Sequence, residues 1–348
     1  MTTNHNDLFA DAARDVLADQ CTPQVVRAIE EGGRTAEATT ALWEQLEATG
    51  LADALLSEDA GGAGLGLGQV FGVLEQCGAH ALPLPLGETM VARALLAQAG
   101  VARPAGSIAL ARGEHLANGG LRCALVRSGQ VAAAVLVQTG TEWPLLNTAD
   151  AQGAAQALAL DAALTWTAVQ VQAAPAVEVN GALDVRTLQA AVVAAQMAGA
   201  LQAVFDRTLQ YANERQQFGR PIGKFQAIQH QLAVMSEHVF AARMAAQLGC
   251  SAGHDGMGVV PDRLRVATAK ARCSEAALVV SELAHAIHGA IGFTEEYDLQ
   301  LFTRRLHAWR QTAGSEAYWY GVAGEALLHH QGMTLDIVRR ITDVDTVL

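Results

Sequence analysis

Aromatic residues are scarce, 5% of a 348-residue chain, so the core cannot rest on large rings. Hydrophobic residues still reach 51%, mostly Ala, Leu and Val, and Ala and Leu favour helix because they lose little rotamer freedom there. Cations are also few: 23 Lys and Arg against 35 Asp and Glu leave a formal net charge of -12. That surplus excludes the clustered basic face a nucleic-acid surface needs, and it keeps an Ala-rich chain soluble. Cys21, Cys77, Cys123, Cys250 and Cys273 are dispersed, with no CxxC pair and no His/Cys metal spacing. This excludes a disulfide framework and a zinc site and fits buried free thiols in a reducing compartment. No apolar run reaches the roughly 18 uninterrupted residues of a membrane span, so none is expected. The start, Met1 to Asp7, lacks a basic stretch followed by an apolar one and does not read as a signal peptide. A cytoplasmic location is the default expectation.

The length allows about two to three domains. Residues 1–101 read as an N-terminal helical domain, with Trp43, Leu46, Leu51, Val70, Val73 and Leu74 at helix-like spacing. Inside it, the glycine-dense segment Glu58 to Gly68 reads as a connector, since neither GxxxxGK with Ser or Thr nor a preceding strand is present. Residues 102–180 read as a small β-domain. Val131 to Val137 after the Ser128-Gly129 turn signal predicts a hairpin, and Thr165 to Gln172 predicts a strand. Residues 181–348 read as a helical bundle. Asp184 is a plausible N-cap for a first helix running toward Asn213. Phe225, Ile228, Leu232, Met235 and Val239 form the stripe of a second. Pro261 suits the first turn of a third that ends before Gly289, and a fourth follows Gly314.

Two segments give this pattern a specific meaning. Tyr211-Ala-Asn-Glu-Arg-Gln-Gln-Phe-Gly-Arg-Pro-Ile-Gly-Lys-Phe-Gln226 resembles the R-x-x-F-G-x-x-I/L-x-x-F/H-Q signature of acyl-CoA dehydrogenases. His285-Ala-Ile-His-Gly-Ala-Ile-Gly-Phe-Thr-Glu-Glu-Tyr297 is similar to a second segment of that family. The resemblance implies a mostly α fold: an N-terminal helical domain, a middle β-domain and a C-terminal four-helix bundle. It also implies FAD, held at a subunit interface where these segments clamp the cofactor of a neighbouring subunit. Arg215 can grip phosphate oxygens through its planar fork. Gln217 and Gln226 supply donors and acceptors, and Phe218 can pack on the cofactor's flat surfaces. Gly289 and the small Ala290 let the backbone approach a diphosphate closely. Phe225, Ala286, Ile287 and Ser315 complete the cofactor contacts that the resemblance implies.

The catalytic base is where the pattern departs. The family removes a proton α to a thioester carbonyl while the β-hydrogen leaves as hydride to the flavin, and its base is a carboxylate within hydrogen-bond reach. Its commonest position falls on Ala313, ahead of the retained Gly314. The alternative position, on the first bundle helix, falls on Gln189, and the Arg expected beside it is Ala190. Glu316, three residues after Ala313, is the surviving candidate, although a first-turn Glu is also favoured by the helix dipole alone.

The resemblance implies FAD-dependent α,β-dehydrogenation of an acyl-CoA, with an electron-transfer flavoprotein or similar acceptor. The chain would act either as a homo-oligomer with a displaced base or in a hetero-oligomer with a fuller family member. The missing Glu, the missing Arg and the short β-domain favour the second arrangement, known among relatives acting on steroid-derived side chains. The rivals are a silent scaffold on the same fold, which would hold no flavin, and a flavin oxidase or monooxygenase, which would react rapidly with oxygen once reduced.

Overall fold

The computed structural model describes residues 5–156, 160–179, 183–251 and 259–343. Residues separate into two compact units, one holding most of the chain up to Gln189, the other holding Leu74–Ala81 and nearly everything from Ala190 onward. The expected boundary at residue 180 lies outside the described residues.

In the first unit, helices α1 (His5–Gln20), α2 (Pro23–Gly32) and α3 (Glu37–Ala48) bury Leu17, Val26, Ile29, Leu42 and Leu46. α2 shows how the local sequence sets its bounds. The Thr22 hydroxyl accepts from the Val25 N–H, Pro23 occupies the first turn, and Gly33 at φ 57° ends it. The glycine-dense segment is a connector anchored by its own Leu65 and Leu67, both buried. Beyond α4 (Phe71–Ala79), which begins in this unit, comes the buried helix α5 (Leu86–Gln98). Its Arg93 pairs with Glu47 and with Asp53 and lies 5.9 Å over the Trp43 ring, tying α5 to α3.

The rest of this unit is β-structure: β1 (Ile108–Arg112), β2 (Glu114–His115), β3 (Leu121–Val126), β4 (Ala134–Gln138), β5 (Glu142–Asn147), β6 (Gln152–Ala155), β7 (Ala162–Trp166) and β8 (Ala176–Glu178). They form two four-stranded sheets, ordered β1-β4-β5-β8 and β2-β3-β7-β6. Ala109, Val135 and Val137 of one and Leu121, Cys123, Leu164 and Trp166 of the other share one core.

Two sequence expectations are corrected here. No hairpin forms at Ser128-Gly129, because β3 pairs with β2 and β7, whereas β4 pairs with β1 in parallel and with β5. A nearly continuous apolar run marks a strand buried on both faces but does not choose its partner. The strand expected to reach Gln172 stops at Trp166, and Ala168–Ala173 is helix α6. Thr167 and Gln170 form a reciprocal capping box, which outweighs the Val-Gln alternation.

The second unit is helical. Its longest helix, α7 (Val185–Glu214), begins in the first unit, where Asp184 caps it by accepting from the N–H groups of Arg186 and Thr187 at 3.3 and 3.2 Å. After the short strands β9 (Gln216–Gln217) and β10 (Arg220–Pro221) comes α8 (Gln226–Cys250), which buries Leu232, Met235 and Val239 of the expected stripe. α9 (Arg263–His288) is capped by Asp262 rather than started by Pro261, since the Asp262 carboxylate accepts from both Leu264 and Arg265 N–H groups. α10 (Leu299–Gln311) comes before the expected last helix, α11 (Glu316–His329), and α12 (Thr334–Thr342) follows it.

The fold is therefore mostly α with a small β-region. Val185–Glu214 and Arg263–Phe293 are each long and apolar enough to cross a membrane, although neither is an uninterrupted apolar run. Their apolar windows are 78% and 44% buried within the fold, which reads as core packing of Ala-rich helices. All five cysteines are buried, unbridged thiols.

Candidate functional site

The first motif folds as a projecting hairpin. The Arg215 N–H bonds back to the Tyr211 carbonyl at 2.8 Å as α7 ends, and the Ile222 N–H closes the loop onto the Arg215 carbonyl at 2.8 Å. Between them Gln217 pairs with Arg220 and Gln216 with Pro221, leaving Phe218 and Gly219 as a two-residue tip. Both have positive φ, 50° and 78°, as a type I′ turn requires. Gly219 accepts this without cost; Phe218 does not, and its ring is 90% exposed. Phe225 is edge-on to it at 6.1 Å and is covered by the Arg220 guanidinium at 4.2 Å. The tip thus holds an aromatic in a strained and solvated position, the kind of cost found at binding sites.

The second motif docks on the helix that carries the first. Tyr211, one turn before Arg215 on α7, stacks on His288 with ring centroids 4.4 Å apart. Its hydroxyl reaches the His288 carbonyl at 3.4 Å. His288 Nδ1 faces the Ala284 carbonyl at 2.8 Å, so that nitrogen carries the proton, and Nε2 accepts from the Tyr297 hydroxyl at 3.3 Å. Burial pushes the His288 pKa down and keeps the ring neutral, which this arrangement requires. Past it, Gly289 at φ 66° ends α9, with open space where a Cβ would stand. Ala286, Gly289 and Ala290 are exposed, whereas Ile287 is buried.

The third element is the turn between α10 and α11. Ala313 stands there at φ 57° and Gly314 at φ 106°, and the Ala313 carbonyl accepts from the Trp319 indole N–H at 3.1 Å. Ser315 is the N-cap of α11, yet its hydroxyl makes no capping bond. Glu316 is clasped by Arg310 in a bidentate pair, with Nε donating to Oε2 at 3.0 Å and Nη2 donating to Oε1. The Arg310 fork holds the Glu316 carboxyl below the usual carboxylate range, which makes it a poor proton acceptor. Lys270 of α9 is fully buried beneath this turn, donating to Ser274 Oγ at 2.9 Å and to the Arg310 and Gly314 carbonyls at 3.0 and 2.9 Å.

In the first unit, Gln189 is committed to structure. Its amide donates to the Leu110 carbonyl at 2.8 Å, and its side chain also bonds Glu88. Glu88 accepts from the Leu110 N–H at 2.8 Å and from Arg127 at 3.3 Å. Burial raises the Glu88 pKa against the opposing pull of Arg127, but with no exposed surface this carboxyl cannot meet a substrate.

The donor set of the hairpin fits a flavin dinucleotide. Arg215, Gln217 and Gln226 are exposed, and no described residue engages their side chains. Phe225, as N-cap of α8, supplies no side-chain capping bond, so the positive end of the helix is uncapped by its own side chain, although the Ile228 N–H is taken by the Phe225 carbonyl. Arg215, Arg220 and Lys224 add local positive charge to a chain of net charge -12. Three residues that shape the site had no role assigned from the sequence: Tyr211, quoted only as part of the first motif, Arg310 and Lys270. Tyr211 was signalled by its i,i+4 relation to Arg215; Lys270, one of several charges along α9 with Arg263, Arg265, Arg272 and Glu275, carried no such signal.

Comparisons with known proteins agree with this geometry. Residues 3–103 match the family described as Acyl-CoA dehydrogenase, N-terminal domain, and residues 185–328 match Acyl-CoA dehydrogenase, C-terminal domain. Acyl-CoA dehydrogenase IpdE2 of Mycobacterium tuberculosis is 30% identical over 305 residues, 86% of this chain and 90% of the relative. Its namesake in Mycolicibacterium smegmatis is 29% identical over 317 residues, 90% of this chain and 95% of the relative. Among solved structures, the Tcur3481-Tcur3483 steroid ACAD is similar with a TM-score of 0.74 and 28% identity, covering 93% of this chain and 97% of that one. The chain belongs to the acyl-CoA dehydrogenase family, flavoprotein oxidoreductases that act on CH–CH bonds.

Proposed function

We propose that this chain is the FAD-clamping subunit of a two-component acyl-CoA dehydrogenase, in which a fuller family member supplies the catalytic carboxylate. One observation carries the reading: the cofactor-gripping side chains stand free while the carboxylate positions are spent. Arg215, Gln217 and Gln226 are exposed and unengaged. The usual base positions hold Ala313 and a Gln189 bonded to Leu110, and Glu316 is clasped by Arg310. Arg215 would hold the diphosphate, Gln217 and Gln226 the sugar and base, Phe218 and Phe225 the flat rings, and the backbone around Gly289 and Ser315 the remaining edges. FAD in that place supplies the hydride acceptor for α,β-dehydrogenation.

The substrate we assign is a bulky acyl-CoA, steroid-derived by similarity to the steroid ACAD, with an electron-transfer flavoprotein or similar carrier as acceptor. The name of that relative joins two chains, which supports a hetero-oligomer over a homo-oligomer. Buried, unbridged thiols fit a reducing compartment, and we place the protein in the cytoplasm.

The test is a visible absorption spectrum of the chain purified alone and after co-expression with a family member that retains its carboxylate. Flavin absorbance only in the co-expressed sample, lost on Arg215→Ala, is expected. Bound flavin in the lone chain that acyl-CoA bleaches would overturn the reading.

A further inference from the structure

The α10–α11 turn carries the eroded base position and Ser315, and it is held from below by one residue outside every motif. We propose that Lys270 is the positioning residue that fixes this turn for the flavin, an inference that rests on the turn facing FAD as argued above.

The geometry is specific to an ammonium. Lys270 Nζ has three N–H donors and meets three acceptors: Ser274 Oγ on its own helix, the Arg310 carbonyl at the end of α10, and the Gly314 carbonyl within the turn. The Arg310 carbonyl is among the last of α10 and lacks a helical partner, so the charge also meets the negative end of the helix dipole. Gly314 is the residue just before Ser315, and the two left-handed residues Ala313 and Gly314 make this a turn that must be held to persist. Trp319 closes the other side through the Ala313 carbonyl. Without Lys270 the Gly314 carbonyl loses its donor, and no other donor among the described residues resists a peptide rotation that would swing the Ser315 N–H away from the site.

Charged and titratable groups face the ammonium from each packed element: the Cys273 thiol on α9, Arg310 on α10 and Glu316 on α11. Burial opposes the charge and brings the Lys270 pKa down to about 7, while the three acceptors favour it. Deprotonation leaves two donors for three acceptors, so the clamp weakens as pH rises through that value.

Trp319 gives a readout independent of flavin. In the 15N-tryptophan-labelled chain, its indole N–H resonance should shift with a midpoint near pH 7. Lys270→Met should abolish that step, and Ser274→Ala, which keeps the lysine but removes an acceptor, should move the midpoint down. In the flavin-loaded assembly, Lys270→Met should speed FAD loss about tenfold, as expected for losing one hydrogen bond to a charged group. A Trp319 resonance in Lys270→Met identical to wild type at every pH overturns the proposal, whatever becomes of the assembly. A shifted Trp319 resonance with FAD loss at the wild-type rate overturns the flavin-facing assignment of the turn instead.

Discussion

Arg310 holds the Glu316 carboxylate by two parallel bonds, six residues apart across a turn that reverses the chain. This relationship gives the carboxylate nearest in sequence to the usual base position a charged partner that lowers its proton affinity. A fork bound through two charged donors stabilises the ionised carboxylate and fixes its direction, which makes it a weaker proton acceptor. The pair is only part-buried, at 25% and 20% side-chain exposure, so Arg310→Ala should cost no more than about 1 kcal/mol in denaturant unfolding. The Glu316 carboxyl should then titrate closer to an ordinary Glu, which carbon-detected NMR would read.

Phe218 should show a conflict between stability and binding. Its φ of 50° is costly for a side chain that is 90% exposed and gains little by burial. Phe218→Gly is expected to stabilise the isolated chain by about 1 kcal/mol in urea unfolding. The same change should weaken FAD retention by about tenfold, since an aromatic stack on a flat ring contributes roughly 1–3 kcal/mol.

Tyr211 should separate packing from hydrogen bonding. Its hydroxyl contact is long, 3.4 Å, so Tyr211→Phe should be close to neutral. Tyr211→Ala removes the stack on His288 and should cost about 2 kcal/mol, releasing the second motif from the first. Thermal unfolding of the two variants checks this.

Gly199 of α7 lies so near the Leu74–Ala81 segment that a Cβ there would stand 1.8 Å from the Glu75 carbonyl oxygen. Gly199→Ala should therefore cost roughly 3 kcal/mol or more, because backbone rather than a flexible side chain must move. Loss of cooperative unfolding or of soluble yield would be the observed result.

Lys270 also predicts the sign of a pH dependence. Its folded pKa, about 7, lies below the unfolded value near 10.5, so between those limits the unfolded chain binds the extra proton. Stability from this residue therefore rises with pH across that window. The stability of Lys270→Met relative to wild type should be greatest at and below pH 7 and should decline toward pH 10. Urea unfolding at several pH values measures it; a difference constant with pH would exclude a depressed lysine.

Much of this was legible in the sequence where one local rule decided the outcome. Asp184 announced its helix because a carboxylate before an apolar run has few better uses. Leu232, Met235 and Val239 fell on a buried face because helical spacing left nowhere else for them. Rules in competition were harder to resolve. At Thr167 to Gln172 the alternation of Val and Gln promised a strand, and a four-residue capping box prevailed. The partners of β4 depended on the rest of the sheet, which an apolar run does not specify. The hairpin residues of the candidate site could be carried over by motif. The clasp of Glu316 by Arg310 and the buried Lys270 could not, since both depend on how the α10–α11 turn brings three helices together.

In the proposed assembly this chain grips the cofactor and its partner removes the proton. Anaerobic bleaching of flavin by acyl-CoA in the co-expressed assembly tests it most directly, with Glu316→Gln in this chain compared against neutralisation of the partner's own carboxylate. Glu316→Gln is expected to bleach within about threefold of wild type, whereas the partner variant is slower by about 100-fold or more, the scale of a lost general base. A loss of that size from Glu316→Gln, with the partner variant unaffected, would contradict it.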